Sequence, residues 1–277
     1  AYGMLLFVLA SGLAVTLGLM NFINLAHGAF AMAGGYAAVV LVNKLGWPFF
    51  AALPFAFFIP ALAGLVLERT LYRHVYARSH LEQVLFTIGL AFMAVAATDY
   101  VMGSQQVFVQ LPKGLEGRFD LGGVGIGKYR LMIIAVCGVL TIALQLALSK
   151  TRFGSRLRAA VDDPRTARGL GIHVNAVFAV TFAVGSGLAG LGGALGAEIL
   201  GLDPHFPLKF MIYFLIVVAV GGTSSITGPF LAALLLGIGD VAGKYYMPTF
   251  GAFAIYTIMI VVLILRPQGL FSRVQGK

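Results

Sequence analysis

The feature that most constrains this chain is its division into long apolar runs. A helix that crosses the hydrocarbon layer of a membrane needs about 20 mostly apolar residues, because every backbone N–H and C=O must find its partner within the segment. Nine stretches meet or approach that requirement: Tyr2 to Met20, Asn24 to Asn43, Phe49 to Leu67, Leu81 to Met102, Leu131 to Ser149, Asn175 to Leu200, Phe210 to Gly222, Pro229 to Gly243 and Gly251 to Leu265. The seventh and eighth are short and read as half-crossings. Of the 277 residues 60% are hydrophobic and 10% charged, against about 25% charged in a soluble globular domain. The expectation is an all-α, polytopic transmembrane helix bundle of eight to nine membrane segments, forming a single domain over residues 1–277. The first run lacks a basic leader and an A-x-A exit, so it reads as a membrane segment whose start has been trimmed rather than as a signal peptide. Cys137 is the one cysteine, which leaves no disulfide framework and no cysteine metal site.

Charge gives the orientation. Basic residues gather at Arg69, Arg73 and Arg78, then at Lys150, Arg152, Arg156, Arg158, Arg165 and Arg168, then at Arg266, Arg273 and Lys277. The positive-inside rule makes all three clusters cytoplasmic. Nine crossings put residue 1 outside, the 103–130 loop outside and the 150–172 loop inside. The formal net charge of +9 is then mostly a topology signal, and a nucleic-acid partner is not expected. Asp99, Glu198 and Asp240 lie near extracellular ends of their segments, where they would line an outer rim or dock a binding protein. Asp240 also stands four residues before Lys244, the spacing of a helical ion pair.

Two nucleotide-like strings are refused. Gly122 to Tyr129 reads GGVGIGKY, which satisfies G-x-x-x-x-G-K and then places Tyr129 where a Ser or Thr would hold Mg²⁺. Gly185 to Gly190 reads GSGLAG, but inside an apolar run with no strand-turn-helix rhythm. Gly185, Gly192 and Gly196, with the Ala189/Gly193 spacing, suit close helix packing instead. No catalytic or metal-binding constellation is evident, so the chain is not expected to be an enzyme.

Polar interruptions carry the functional signal. NFINLAHGAFAMAGGY, Asn21 to Tyr36, places Asn21, Asn24, His27 and Gly28 inside an otherwise apolar stretch. Non-helical backbone at membrane depth survives only where it is buried in protein or lines a watery cavity, and transporters use such broken helices to meet polar ligands. A second interruption is GGTSSITGPF, Gly221 to Phe230. A shift of 200 residues superposes HGAFAMA on TGPFLAA, which points to an internal repeat of discontinuous helices. The expected substrate path is lined by Asn21, Asn24, His27, Gly28, Thr223, Ser224 and Ser225. His27 has a second reading, as a histidine hydrogen-bonded within the bundle. No charge falls near mid-membrane, which favours a small neutral or zwitterionic solute over an ion.

The inner loop reads KTRFGSRLRAAVDDPRTARGLGI, Lys150 to Ile172. Attraction to anionic lipid explains its arginines, and a short amphipathic helix lying on another protein explains its alternation of small, acidic and basic residues as well. Together with INLAHGAFAMAGGY, VVAVGGTSSITGPFLAALLLG and LILRPQGLF, in this order and over nearly the whole chain, it resembles the permease subunits of branched-chain amino acid type ABC importers, in particular the shorter, H-type subunit. The resemblance implies a multi-pass protein of the bacterial inner membrane. It also implies a second, similar permease subunit, two cytoplasmic ATPases that hold ATP and Mg²⁺, and an extracytoplasmic solute-binding protein. It places a coupling helix in Gly154 to Ile172, with Gly154, Arg156, Arg158, Ala159, Asp162, Asp163, Arg165 and Gly171 as ATPase-coupling residues, and needs no cofactor in this chain. Members of that family usually read GGxGSxxG where this chain has GGTSSITG, with Ser224 in place of a glycine. The rival class is a self-contained secondary transporter or channel for a small neutral solute such as urea or an amide. Uptake by this chain alone under an ion gradient would favour it.

Overall fold

The structure, a computed structural model, describes residues 1–122, 124–222, 225–249 and 251–270. Its helices are α1 (Tyr2–Met20), α2 (His27–Val39), α3 (Phe49–Thr70), α4 (His80–Met102), α5 (Lys128–Lys150), α6 (Arg152–Asp162), α7 (Pro164–Gly169), α8 (Val174–Gly196), α9 (Phe206–Gly221), α10 (Thr227–Tyr246) and α11 (Ala254–Leu265). Each of the nine apolar runs contains one helix, and α6 and α7 fill the inner loop. Helices α3, α4, α5 and α8 are long and apolar enough to cross a membrane, and α1, α9 and α11 are shorter apolar helices.

Helix α8 is the hub, packed against α1, α2 and α3. Its glycines allow this, because a side chain at Gly190 or Gly193 would enter the backbone of Ala56 or Ala31, and Gly185 faces Gly12 across α1. Gly192 rests against Leu9 and Gly196 against Leu5 and Leu200, so GSGLAG lies within a continuous helix whose small residues admit neighbouring helices.

The outer helices bury narrow stripes. Ala52, Ala56, Pro60, Gly64 and Glu68 form the buried face of α3, at a strict four-residue spacing, while Phe58, Leu62 and Val66 are exposed. Helix α4 buries Gln83, Thr87 and Ala91. The exposed apolar remainder of these helices suits hydrocarbon rather than water.

Two cavities mark the ends of the bundle. One is lined by Met20, Arg69, Val161 and His173, the other by Tyr2, Arg130, Leu200 and Lys244. Helix α1 runs from one cavity to the other, and α8 lies between them, with the arginine clusters of α3 and the inner loop sharing one face. The interrupted pairs also pack on each other, α1 on α10 and α9, and α2 on α9.

The structure differs from the sequence reading in several places: the eighth run, read as short, belongs to a helix of 20 residues, α10, and α9 starts at Phe206 rather than Phe210. Helix α2 begins at His27 rather than Asn24, because Asn24 spends its side chain on the backbone N–H of Ala26, and it closes in a π-helical turn, Val40–Lys44. The outer loop contains an antiparallel hairpin, β1 (Arg118–Leu121) with β2 (Val124–Gly127), in register Arg118 to Gly127 and Leu121 to Val124. Strands of four residues carry too little alternation to be seen in sequence. The string GGVGIGKY thus supplies a hairpin strand and the first turn of α5; Gly123, at its second position, lies outside the described residues.

Candidate solute path and coupling surface

The first interruption is built from the chain's own polar side chains. Helix α1 stops at Asn21, which adopts the left-handed conformation at φ 49°. Across the unwound segment, Ile23 N–H donates to Gln83 Oε1 at 3.2 Å, Leu25 N–H to Thr87 Oγ1 at 3.1 Å and Ala26 N–H to Asn24 Oδ1 at 3.1 Å. Tyr72 O–H reaches the same Asn24 oxygen at 3.4 Å, and Gln83 in turn donates to the carbonyls of Tyr76 and Arg78. A buried N–H without a partner costs about 1–3 kcal/mol, so these side chains are what lets helix backbone end inside an apolar bundle. Gln83, Thr87 and Tyr72 were not singled out by the sequence reading. The available signal was the polar pair at i and i+4 in an otherwise apolar run.

His27 and Gly28 open α2 deep within the bundle. The His27 ring is 3% exposed and its Nε2 lies 2.9 Å from the Leu9 carbonyl oxygen, edge-on to Phe214. Of its two readings, the geometry realises the hydrogen bond within the bundle. A Cβ on Gly28 would stand 2.7 Å from Pro207 Cα, so this position is where α2 and α9 touch. Of the expected path residues in this segment, Asn24, His27 and Gly28 are buried and Asn21 is exposed, lining the inner cavity.

At the second interruption, α9 ends on Gly222 at φ 83°. Ser225 is exposed and its Oγ accepts from Gly228 N–H at 3.3 Å, starting α10. Thr223 and Ser224 lie outside the described residues. The two sets of expected path residues are therefore unlike: one mostly enclosed, the other open at Ser225.

The inner loop forms a bracket of two helices. Leu157 and Ala160 of α6, Ala167 of α7, and Val174 and Val177 of α8 make a small apolar core of their own. The apolar face of α6 thus packs on this chain. Several expected coupling residues build the bracket. Gly154 touches the Leu148 backbone, where any side chain would collide. Arg158 donates to the Leu148 carbonyl, holding α6 to the end of α5. Asp163 caps α7, accepting from the N–H groups of Arg165 at 2.9 Å and Thr166 at 3.0 Å. Hydrogen bonds from the Thr166 hydroxyl and these amides hold its carboxyl below the usual carboxylate range. Gly171 takes φ 81° after α7, a conformation that favours glycine. Ala159 is half-buried, while Arg156, Asp162 and Arg165 are exposed, with side chains that make no hydrogen bond or ion pair among the described residues.

The three outer acids differ from one another. Asp240 is 2% exposed and paired with Lys244 Nζ at 2.7 Å, the helical ion pair its spacing suggests. Glu198 borders a cavity with Arg118 and Arg130, and Asp99 is exposed.

The family described as branched-chain amino acid transport system, permease component, matches residues 1–265. The high-affinity branched-chain amino acid transport permease LivH of Escherichia coli is 27% identical over 96% of this chain and 91% of its own length. A probable LivH of Methanocaldococcus jannaschii is 28% identical over 97% of this chain and 89% of its own. The high-affinity branched-chain amino acid transport permease LivM of Escherichia coli is 27% identical over 96% of this chain and 68% of its own length. No solved structure matches the chain.

Proposed function

The chain belongs to the family of branched-chain amino acid transport permease components, and from that premise we propose that it is one half of a permease pair that moves a branched-chain or other hydrophobic amino acid inward by alternating access. Similarity to both LivH and LivM supports a pair of related subunits. The other components of the proposed importer are two ATPases at the inner face, which hold ATP and Mg²⁺ and carry out hydrolysis, and a solute-binding protein at the outer face. The bundle itself lies in the inner membrane as a multi-pass protein.

One observation carries the reading of the coupling surface: a charged, exposed face at Arg156, Asp162 and Arg165, unpaired among the described residues, is mounted on a bracket tied to both α5 and α8. A load on that face passes through the Arg158 bond to the Leu148 carbonyl and through the small core shared with α8. From α8 it reaches α1, α2 and α3, which pack on it. Closure of the ATPases would in this way re-aim α1 and α2, the helices that flank the first interruption. Solute is proposed to pass from the pair interface over the exposed Ser225 toward the inner cavity that Asn21 lines, with Thr223 and Ser224, its neighbours in sequence, as further expected path residues. His27, Asn24 and Gly28 hold the first interruption in shape behind that path.

Arg158 is unsuited to a coupling test, since reversing its charge would also loosen α6. The test is the pair Arg156→Glu and Arg165→Glu in the assembled importer, reconstituted with its binding protein. Surface substitutions of this kind change stability by no more than about 0.5 kcal/mol. The expected result is loss of solute-stimulated ATP hydrolysis and uptake by at least about tenfold, with unchanged thermal unfolding of the permease. Full uptake by the double variant overturns the coupling surface, and uptake by this chain alone in liposomes under an ion gradient overturns the importer.

A further inference from the structure

The inner cavity, of about 880 Å³, collects Arg69 and Arg73 from the end of α3 and the turn after it, Arg168 from α7, and His74 and His173 beside them. Glu68 is the carboxylate in its lining, with Oε1 accepting from Tyr76 O–H at 3.2 Å. Arg69, Arg73 and Arg168 are exposed and make no hydrogen bond or ion pair among the described residues. Three guanidinium groups and one carboxylate leave a net charge of about +2 around one space, and like charges in a cleft repel unless an anion joins them.

One of these cations, Arg69, also ends an apolar stripe on the outer surface of α3. Phe58, Leu62 and Val66 are exposed on one face of α3, at helical spacing, and the next position on that face is Arg69. An apolar track that ends in cations is complementary to an amphiphile with a negative head, and basic pockets between membrane helices on the cytoplasmic side take acidic lipid head groups. We propose that this cavity binds the phosphate of an acidic phospholipid from the inner leaflet, whose acyl chains lie along the exposed stripe of α3. The lipid then joins α3 to α7, so that the bracket carrying the coupling face is fastened to the bundle partly through a lipid. The site lies at the inner end of the proposed solute path, in the cavity that Asn21 also lines, and its test needs neither ATP nor solute.

The experiment is retention of lipid by the full chain, measured by native mass spectrometry after incubation with phosphatidylglycerol or with phosphatidylcholine of the same acyl chains. Phosphatidylglycerol should be retained and phosphatidylcholine not. An arginine near an acidic head group contributes about a fivefold effect, equivalent to about 1 kcal/mol. Arg73→Gln with Arg168→Gln should therefore lower retention about 25-fold, and Arg168→Gln alone, at an exposed position, about fivefold. The single variant keeps the test decisive if the double variant does not fold. Equal retention of both lipids overturns the proposal, as does unchanged retention by Arg168→Gln. Displacement of phosphatidylglycerol by millimolar inorganic phosphate also overturns it, since the site would then be one for free anions.

Discussion

The two interrupted helices meet the same physical problem in different ways. Between Asn21 and Ala26 the freed N–H groups are satisfied by side chains from another helix, Gln83 and Thr87 of α4, as well as by Asn24 from within. Around Gly222 and Ser225 the described backbone bonds are local, Gly222 N–H to the Val218 carbonyl at 2.9 Å and Gly228 N–H to Ser225 Oγ, while Gln145 Nε2 of α5 donates to Thr227 Oγ1 at 3.3 Å where α10 begins. The first interruption is a fixture of the fold, while the second leaves an exposed hydroxyl where a helix starts. A broken helix is therefore not by itself a solute site. What separates the two is whether a neighbouring helix supplies acceptors for the freed N–H groups; at the first interruption it does, although Asn24 Nδ2 stays buried without a hydrogen-bond partner among the described residues.

The largest effect should come from filling the contact behind the fixture. Gly28→Val places a branched side chain against the Pro207 backbone, where even a Cβ would stand 2.7 Å from Cα and 2.9 Å from the carbonyl oxygen. Backbone gives way less readily than a flexible side chain, and overpacking of this kind costs about 3 kcal/mol or more. The expected outcome in detergent is a chain that unfolds at markedly lower denaturant concentration or is not recovered folded. Wild-type stability would mean that α2 and α9 are not packed as described.

A smaller loss follows from removing the partners that α4 provides. Gln83→Leu and Thr87→Val each leave one N–H of the unwound segment, Ile23 or Leu25, without its acceptor, at about 1–3 kcal/mol apiece. Thr87→Ser keeps the hydroxyl and should recover most of the loss. Amide exchange at Ile23 and Leu25 should quicken in the two disruptive variants while the middle of α8 stays protected. Equal exchange in variant and wild type would make the first interruption as self-contained as the second.

Much of this was legible before any coordinates. Hydrocarbon thickness demands long apolar runs, so α1 and the start of α3 fall where the sequence places them, and the glycine spacing around Gly185 to Gly196 announces a helix that others approach closely. Partners across the fold were not legible. A lone Gln or Thr in an apolar run reads as tolerated polarity, and nothing local says that Gln83 and Thr87 reach residues some 60 positions away. For the same reason Arg158 reads as one more surface charge of the inner loop, although it turns back to the Leu148 carbonyl. Asp163 shows how much stays local: its role as the cap of α7 follows from D-P-R-T, an acid just before a proline at the first helical position.

The smallest energetic effect gives the sharpest contrast, because it reads access rather than stability. Ser225→Ala removes one exposed capping bond and should cost no more than about 1 kcal/mol, so Ser225→Cys is a mild probe as well. Cys137, the native thiol, is fully buried, and buried thiols of this kind are inert, which leaves the wild-type chain as its own background. A membrane-impermeant maleimide applied from the cytoplasmic side should label Ser225→Cys readily. Asn24→Cys, at a site 1% exposed, can react only when the first interruption opens, and an opening that costs about 3 kcal/mol slows labelling by roughly 100-fold. Comparable rates at the two positions would show that both interruptions face water, and the division between fixture and open site would then have to be given up.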